Sequence, residues 1–247
     1  MDWSGEDVIT KGVRERRFDI QRDGRTVPGL LWTPPDAAGP RPLVLIGHGV
    51  SGSKREDYVA ALGRRLVRHL GYAAAAIDGP VHGDRRKAGP GPDLPFFDFG
   101  QLWSSDPTLT DAMVDDWRAT LDALQGEPDI GPGPAGYWGL SMGTILGLPL
   151  VAAEPRIAVT VLGLMGLTGP TKSRLAADAP NVLCPLLFLM QWHDELFPRD
   201  NLYELFDALG TTDKRLHAHP GKHGDVPPEE FEASERFLAL HLGAITA

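Results

Sequence analysis

Three residues of the types that build a nucleophilic serine centre are widely spaced in this chain: Ser141, Asp194 and His223. Serine is a weak nucleophile at neutral pH and needs a positioned base to take its proton. Histidine commonly serves as that base, and a carboxylate then fixes its tautomer and stabilises the imidazolium. With the histidine and the carboxylate in place, the serine oxygen could attack the carbonyl carbon of an ester, a thioester or an amide.

The segment around Ser141 supports the role of nucleophile. Gly139 to Gly143 read GLSMG, which matches the pattern G-x-S-x-G. The pattern alone is a weak signal, and it gains meaning when a strand leads in and a helix leads out. The apolar residues AGYWG before the serine and TILGLPLVAAE after it favour those two elements. The two glycines would give the tight turn the room that it needs.

His223 lies in the loop PGKHG, directly after the last predicted strand. Open α/β sheets bind ligands at the carboxyl ends of their strands, so this loop is well placed for a base. His219 is the rival base, at the end of that strand. His217, His219 and His223 could suggest a metal cluster, but no second group of ligands with zinc spacing supports one. We therefore expect no metal and no cofactor.

Asp194 follows the apolar run LLFLM and opens the loop QWHDELFP. This location puts the carboxylate at a strand end, between the serine and the histidine in chain order. Glu195 is the alternative acid. Neighbouring side chains point in different directions, so only one of the two carboxylates can serve the histidine.

The elements that must position these residues alternate between short apolar runs and amphipathic segments, which is the pattern of a parallel sheet with crossover helices. We predict a mostly parallel α/β sheet of about eight strands with helices on both faces, in one domain spanning residues 1–247. The predicted strands are 13–21 and 26–33 in an opening hairpin, then 42–49, 72–79, 135–140, 157–165, 185–190 and one near 214–219. The predicted helices are 58–70, 111–124, one that begins near 142, 200–209 and 228–242.

Residues 84–108 interrupt this alternation with a stretch rich in Gly, Pro and aromatic residues, which predicts a long functional loop partly covering the site. Phe97 and Trp103 either line an acyl pocket or anchor the loop to the core. Trp192, beside the acid, is a third candidate for the pocket wall, and a pocket near Trp192 and Met165 is the alternative. Only 28 residues, 166–193, separate the strand at 157–165 from Asp194, so no large cap domain is expected, given the usual length of connections.

The composition narrows the choice of partners and compartment. The net charge of −9 disfavours nucleic acid and anionic membranes as partners, because both require a basic face. The charged N-terminus does not resemble a secretory signal, and no apolar window is long enough to span a membrane. The single cysteine, Cys184, excludes an internal disulfide and is interpreted as a buried hydrophobic residue. We expect a cytoplasmic protein.

Taken together, these segments resemble the α/β-hydrolase superfamily, and within it the dienelactone-hydrolase-like serine esterases, from about Leu43 to His223. The matching segments are GHG at 47–49, DGPVHGDR at 78–85, GLSMG, WHDELFP and PGKHG. The resemblance implies oxyanion donors at the backbone N–H groups of Val50 and Met142. The sequence also differs from the family pattern at three positions. Gln191 stands where the acid loop usually has glycine, Val81 replaces another glycine, and Ser141 replaces the thiol nucleophile of true dienelactone hydrolases.

The function predicted from these residues is hydrolysis of short acyl or small aromatic carboxylic esters through an acyl-enzyme on Ser141. A thioesterase or amide-cleaving hydrolase would use the same three residues. A binding protein that has lost catalysis is the alternative from another class, although it would not need all three. We interpret His48 and His82 as structural residues that hold loops together. A small-molecule ester is the expected partner, and a homodimer is left open.

Overall fold

The computed structural model describes residues 1–37, 39–86 and 95–243. Its strands form one nine-stranded sheet in the order β1-β2-β3-β5-β4-β6-β7-β8-β9. The first strands pair antiparallel up to the β3–β5 contact, and those from β5 to β9 are parallel. The strands are β1 Asp2–Thr10, β2 Val13–Arg22, β3 Arg25–Thr33, β4 Leu43–Gly47, β5 Ala73–Ile77, β6 Ala135–Leu140, β7 Ile157–Gly163, β8 Leu186–Gln191 and β9 Lys214–His219.

Seven α-helices connect or flank these strands within the described residues. They are α1 Asp57–Leu70, α2 Pro95–Ser105, α3 Leu109–Gln125, α4 Met142–Ala153, α5 Lys172–Asp178, α6 Arg199–Ala208 and α7 Pro228–Leu242. Helices α1 and α7 bury their apolar residues in the core on one face of the sheet. Helices α3, α4, α5 and α6 contribute to the core on the other face. The predicted α/β fold with helices on both faces is therefore confirmed.

The central strands are apolar along their whole length because both of their faces are covered. Every residue of β4 and β6 is buried. Strand β5 reads AAAAI, and alanine is a poor strand former. Here Ala74 lies opposite Trp32 of β3, and Trp32 is fully buried. Small residues in β5 fit beside this large neighbour, so packing overrides the intrinsic preference.

Three elements differ from the sequence predictions. The ninth strand, β1, was not predicted, because its residues are almost all exposed and carry no apolar pattern. Helix α5 was also missed; it is one of two short helical turns between β7 and β8, a connection that holds no cap domain. Much of the predicted aromatic loop is helix α2, while residues 87–94 of that loop lie outside the described residues.

Candidate active site

Ser141 occupies a sharp turn between β6 and α4. Its backbone has φ 57° and ψ −117°, a conformation that costs a residue with a side chain about 1–3 kcal/mol. A Cβ placed at Gly143 would lie 2.7 Å from the carbonyl oxygen of Gly47, so no larger residue fits there. The Ser141 N–H donates to the carbonyl oxygen of Gly163 on the neighbouring strand, at 2.9 Å. The fold thus holds the serine at the carboxyl end of the sheet.

His223 joins Ser141 to Asp194. Its Nε2 lies 2.9 Å from the Ser141 Oγ, and its Nδ1 lies 2.8 Å from an Asp194 carboxylate oxygen. Because the carboxylate accepts from Nδ1–H, Nε2 is left with the lone pair that can take the serine proton. The side chains of His223 and Asp194 are 14% and 2% exposed, so this relay is shielded from bulk water. The structure brings all three predicted residues together.

The Asp194 carboxylate is held in its charged form. Burial alone would raise its pKa, but hydrogen bonds from His223 and from the backbone N–H groups of Phe197 and Leu196 outweigh burial and lower the pKa. Those two N–H groups lie 3.0 Å and 2.8 Å from the carboxylate. Because this carboxylate is ionised at neutral pH, it can stabilise the imidazolium that forms when His223 takes a proton.

Glu195, the alternative acid, faces another group. Its carboxylate accepts the backbone N–H of His223 at 2.9 Å, whereas Asp194 contacts the ring. The two neighbouring carboxylates thus contact different parts of His223. Glu195 fixes its backbone, and Asp194 fixes its imidazole ring.

His219, the alternative base, points to a different carboxylate. Its Nε2 lies 2.6 Å from Glu230 of α7, and the Nδ1 of His217 lies 3.0 Å from both oxygens of the same carboxylate. Glu230 is 4% exposed. These three side chains join β9 to α7 below the loop that carries His223. No group of three or more metal-binding side chains suited to a metal ion occurs in the described part of the chain.

The two predicted oxyanion donors flank the Ser141 turn. Met142 is the first residue of α4, where the backbone N–H has no partner within the helix. The Val50 N–H has no hydrogen-bond acceptor among the described residues. The position of Val50 is fixed by its carbonyl oxygen, which lies 2.8 Å from the Nε2 of His82. Both N–H groups are therefore available to a ligand.

His48 and His82 hold the loops around this turn. The Nε2 of His48 accepts the Gly79 N–H at 2.8 Å, so Nδ1 carries the proton and donates to Gly49. Burial, helped by the neighbouring His82, lowers the pKa of His48 to about 4, which keeps its ring neutral. His82, which is 1% exposed, contacts the carbonyl oxygens of Pro80 and Val50. Both histidines thus make the loop contacts that were expected of them.

A buried ion cluster supports the same region. Lys54 and Asp78, whose side chains are fully buried, form an ion pair, and Lys54 also contacts Asp84 at 2.7 Å. Asp84 is further paired with Arg55, at 2.9 Å. Burial opposes ionisation of Asp84, yet hydrogen bonds from Lys54 and Arg55 lower its pKa to about 2. The cluster ties the segment after Val50 to the turn after β5.

A cavity of about 360 Å³ opens beside Ser141 and His223. Its walls come from the side of the sheet covered by α1 and α7, and they include three aromatic side chains, those of Tyr58, Trp138 and Phe231. The sequence analysis missed these residues as site residues. Tyr58 begins the predicted helix 58–70, and its contact with a distant strand leaves no signal in sequence spacing.

The predicted pocket residues Phe97, Trp103 and Trp192 do not line this cavity. Phe97 lies on α2 and is 56% exposed. Trp103 stacks on Phe99 at 6.0 Å and donates to the Thr171 hydroxyl at 3.1 Å, so it anchors α2 to the protein. Trp192 is exposed and lies under the guanidinium group of Arg199, 3.9 Å from the ring centroid. Met165, named in the alternative pocket, is fully buried in the core.

Cys184 takes no part in this site. It is partly buried, and burial raises the pKa of its thiol to about 12. A thiol with so high a pKa holds almost no thiolate at neutral pH and is a poor nucleophile. Ser141 is therefore the better candidate for covalent chemistry.

Comparison with known proteins agrees with the geometry. The family model described as the dienelactone hydrolase family matches residues 27–229. The chain belongs to the dienelactone hydrolase family. A search of curated protein sequences returned no match. Within the described residues, no helix combines the length and apolarity needed to cross a membrane.

Solved structures extend this comparison. The chain is 42% identical to a cold-adapted esterase from an Arctic intertidal metagenomic library, solved with bound polyethylene glycol; the match covers 98% of this chain and 100% of that one, with a TM-score of 0.87. It is 19% identical to a dienelactone hydrolase from Anabaena variabilis, over 94% and 100% of the chains, with a TM-score of 0.70. It is 14% identical to acetyl xylan esterase 1 from Thermoanaerobacterium, over 96% and 86%, with a TM-score of 0.72. The two distant matches show a shared fold.

Proposed function

We propose that this member of the dienelactone hydrolase family is a serine carboxylesterase that forms an acyl-enzyme on Ser141. The observation that carries the proposal is the pair of contacts at His223: 2.9 Å to the serine hydroxyl and 2.8 Å to Asp194. The family and the 42% identical esterase support carboxylic ester hydrolysis.

The first half of the reaction transfers the acyl group to the enzyme. His223 Nε2 takes the proton of Ser141 as Oγ attacks the ester carbonyl carbon, and the carbonyl electron pair moves to oxygen. The N–H groups of Val50 and Met142 are the proposed donors to that oxyanion, and loss of one such donor costs about 3 kcal/mol in other serine hydrolases. When the tetrahedral intermediate collapses, His223 gives its proton to the leaving alcohol.

The second half returns the enzyme to its starting state. Water takes the place of the alcohol, His223 takes a proton from it, and the resulting hydroxide attacks the acyl carbon. Collapse releases the carboxylic acid and returns the proton from His223 to Ser141. The ionised Asp194 stabilises the imidazolium in both halves. The proton transfers between Ser141 and His223 pass between atoms that lie 2.9 Å apart.

The experiment that tests the proposal is a comparison of leaving groups with one acyl group. Phenyl acetate, S-phenyl thioacetate and acetanilide would be assayed with the purified protein. We expect turnover of the oxygen ester, and a common acyl-enzyme would give a pre-steady-state burst of the phenol. Cleavage of the thioester or the amide alone would contradict the ester assignment. No turnover of any of the three would favour the inactive binding protein.

Cytoplasmic location and the homodimer left open by the sequence analysis stay predictions. Fractionation of the native host cells tests the first, and light scattering of the purified protein tests the second. Monomers at micromolar concentration would contradict the dimer.

A further inference from the structure

The cavity beside Ser141 has rigid aromatic walls. The ring centroids of Tyr58 and Trp138 are 6.1 Å apart, and those of Trp138 and Phe231 are 6.0 Å apart with the rings stacked. Trp138 is fixed by a 3.1 Å hydrogen bond from its indole N–H to the hydroxyl of Ser234. Tyr58 is fixed because its hydroxyl accepts the Gly49 N–H at 2.6 Å. These walls suit a flat or compact apolar group without rearrangement.

The same cavity contains one uncompensated charge. Glu56 lines it, and the Glu56 carboxylate makes no hydrogen bond or ion pair with the described residues. The nearest basic residues in sequence are engaged elsewhere, Lys54 with Asp78 and Arg55 with Asp84. The positive charge of Lys222, on the His223 loop, helps to lower the pKa of Glu195. A ligand in the cavity therefore meets the negative charge of Glu56.

The field of Glu56 reaches the cavity wall. Burial raises the pKa of Tyr58, the hydrogen bond with Gly49 lowers it, and the charge of Glu56 raises it further, to about 12. The faces of aromatic rings also attract cations, most strongly where water is excluded. The charge and the rings therefore act in the same direction on a bound group.

We propose that the cavity beside Ser141 selects esters whose bound group is aromatic or quaternary ammonium, in the order cationic, neutral, anionic, and that Glu56 sets this order. The proposal rests on the proposed function, since it names the substrate class of the same site. For a charge about 8 Å from Glu56 and an effective dielectric constant of about 20–40, Coulomb's law gives an effect of about 5-fold to 30-fold on kcat/KM.

Two matched ester series test the order. The first contains phenyl acetates with para trimethylammonium, tert-butyl and carboxylate groups. Trimethylammonium and tert-butyl have the same size and shape and differ in charge, and the smaller carboxylate reverses the charge. The second contains 4-nitrophenyl benzoates with the same three groups, which places the charge on the acyl side. The measured quantity is the ratio of kcat/KM for the cationic ester to that for the anionic ester. Intrinsic reactivity cancels when this ratio is compared between wild type and variant.

We expect Glu56→Gln to lower this ratio at least about 25-fold in one of the two series, because attraction of the cation and repulsion of the anion are both lost. The series that responds identifies whether the cavity holds the acyl or the alcohol portion. Asp57→Asn is the matched control, because it removes an exposed charge from the adjacent residue, which does not line the cavity. The ratio for Asp57→Asn should equal that of wild type.

A second measurement needs no variant. Salt screens charges at the mouth of an open cavity, so the wild-type ratio should fall as the ionic strength rises from about 0.01 M to about 0.5 M. The proposal would be overturned if, in each of the two series, the ratio changed neither with ionic strength nor in Glu56→Gln. The esterase assignment would then stay intact. A wild-type protein that hydrolyses no ester in either series would overturn both.

Discussion

His219 and His223 are close together in sequence, and each of them pairs with a carboxylate. Only the pair that contains His223 also contacts a nucleophile. The loop pair consists of His223 and Asp194, 2.8 Å apart, and the strand pair consists of His219 and Glu230, 2.6 Å apart. In the loop pair the second ring nitrogen meets Ser141. In the strand pair the carboxylate is shared with His217. Pairing with an acid thus does not identify a base; a second nitrogen aimed at a hydroxyl does.

The largest expected effect separates the two histidines. His223→Ala should lower kcat/KM by at least about 10⁴-fold while the protein stays folded, because the serine loses its base. His219→Ala should lower kcat/KM less than about 10-fold, because that ring makes structural contacts only. Steady-state kinetics on phenyl acetate measure both. The reverse ranking would move the base to the strand pair.

The next effect separates the two carboxylates of the acid loop. Asp194→Asn should lower kcat about 10³-fold to 10⁴-fold, since an amide favours the wrong histidine tautomer. Glu195→Gln should be much milder, because Glu195 contacts the His223 backbone and not its ring. Equal losses in the two variants would show that the carboxylates share the role.

The pH dependence of stability provides a second test of Asp194. Its pKa is lowered in the folded state, so the carboxylate stabilises the fold above its unfolded pKa of about 4. That contribution is lost as the pH falls through the lower, folded pKa. The unfolding free energy of wild type relative to Asp194→Asn should therefore be constant above about pH 5 and shrink in more acidic solution. A difference that grows towards low pH would contradict the lowered pKa.

The strand pair should matter to stability and little to chemistry. Glu230→Ala removes a buried carboxylate that joins β9 to α7 and should lower the unfolding free energy by about 2–3 kcal/mol, as for hydrogen bonds to charged groups. Urea denaturation measures this change. The folded variant should keep kcat/KM within about 10-fold of wild type. A stable variant without activity would place Glu230 in the reaction.

The smallest expected effect concerns the residue after Glu230. Phe231→Ala removes one wall of the cavity and should lower the preference for a phenyl over a methyl group, in the portion of the ester that the cavity holds, about 10-fold, as for other apolar contacts in pockets. Phe97→Ala is the matched control on α2, where the ring is exposed and does not line the cavity. A larger change in preference from Phe97→Ala would return the pocket to the predicted aromatic loop.

Sequence was sufficient where local pattern and chain order carry the information. The parallel strands, the turn at Ser141 and the loops of Asp194 and His223 each follow from an apolar run and the residues that end it. Strand ends of a parallel sheet share one edge, so the order of these loops nearly determines the site. The exposed strand β1 had no such pattern, because pairing with β2 holds it in place and burial does not.

The cavity could not be predicted in this way. Tyr58, Trp138 and Phe231 come from a helix, a strand and a second helix, and they meet only because α1 and α7 cover the same face of the sheet. The aromatic residues at 96–103 formed a stronger local signal. Phe99 and Trp103 proved to be the anchors of α2, since their rings stack on each other and Phe99 is 3% exposed. The cluster of aromatic residues at 96–103 thus reflects how α2 packs against the protein. The residues that line the cavity are set by tertiary contacts between distant elements.

The most direct test of the central claim is intact-mass spectrometry after treatment with a fluorophosphonate, which reacts with an activated serine. We predict that wild type gains one phosphonyl group, that Ser141→Ala gains none, and that His223→Ala reacts far more slowly. Fragmentation should place the added mass on Ser141. An unmodified wild type, or full labelling of Ser141→Ala, would contradict a nucleophilic Ser141 activated by His223.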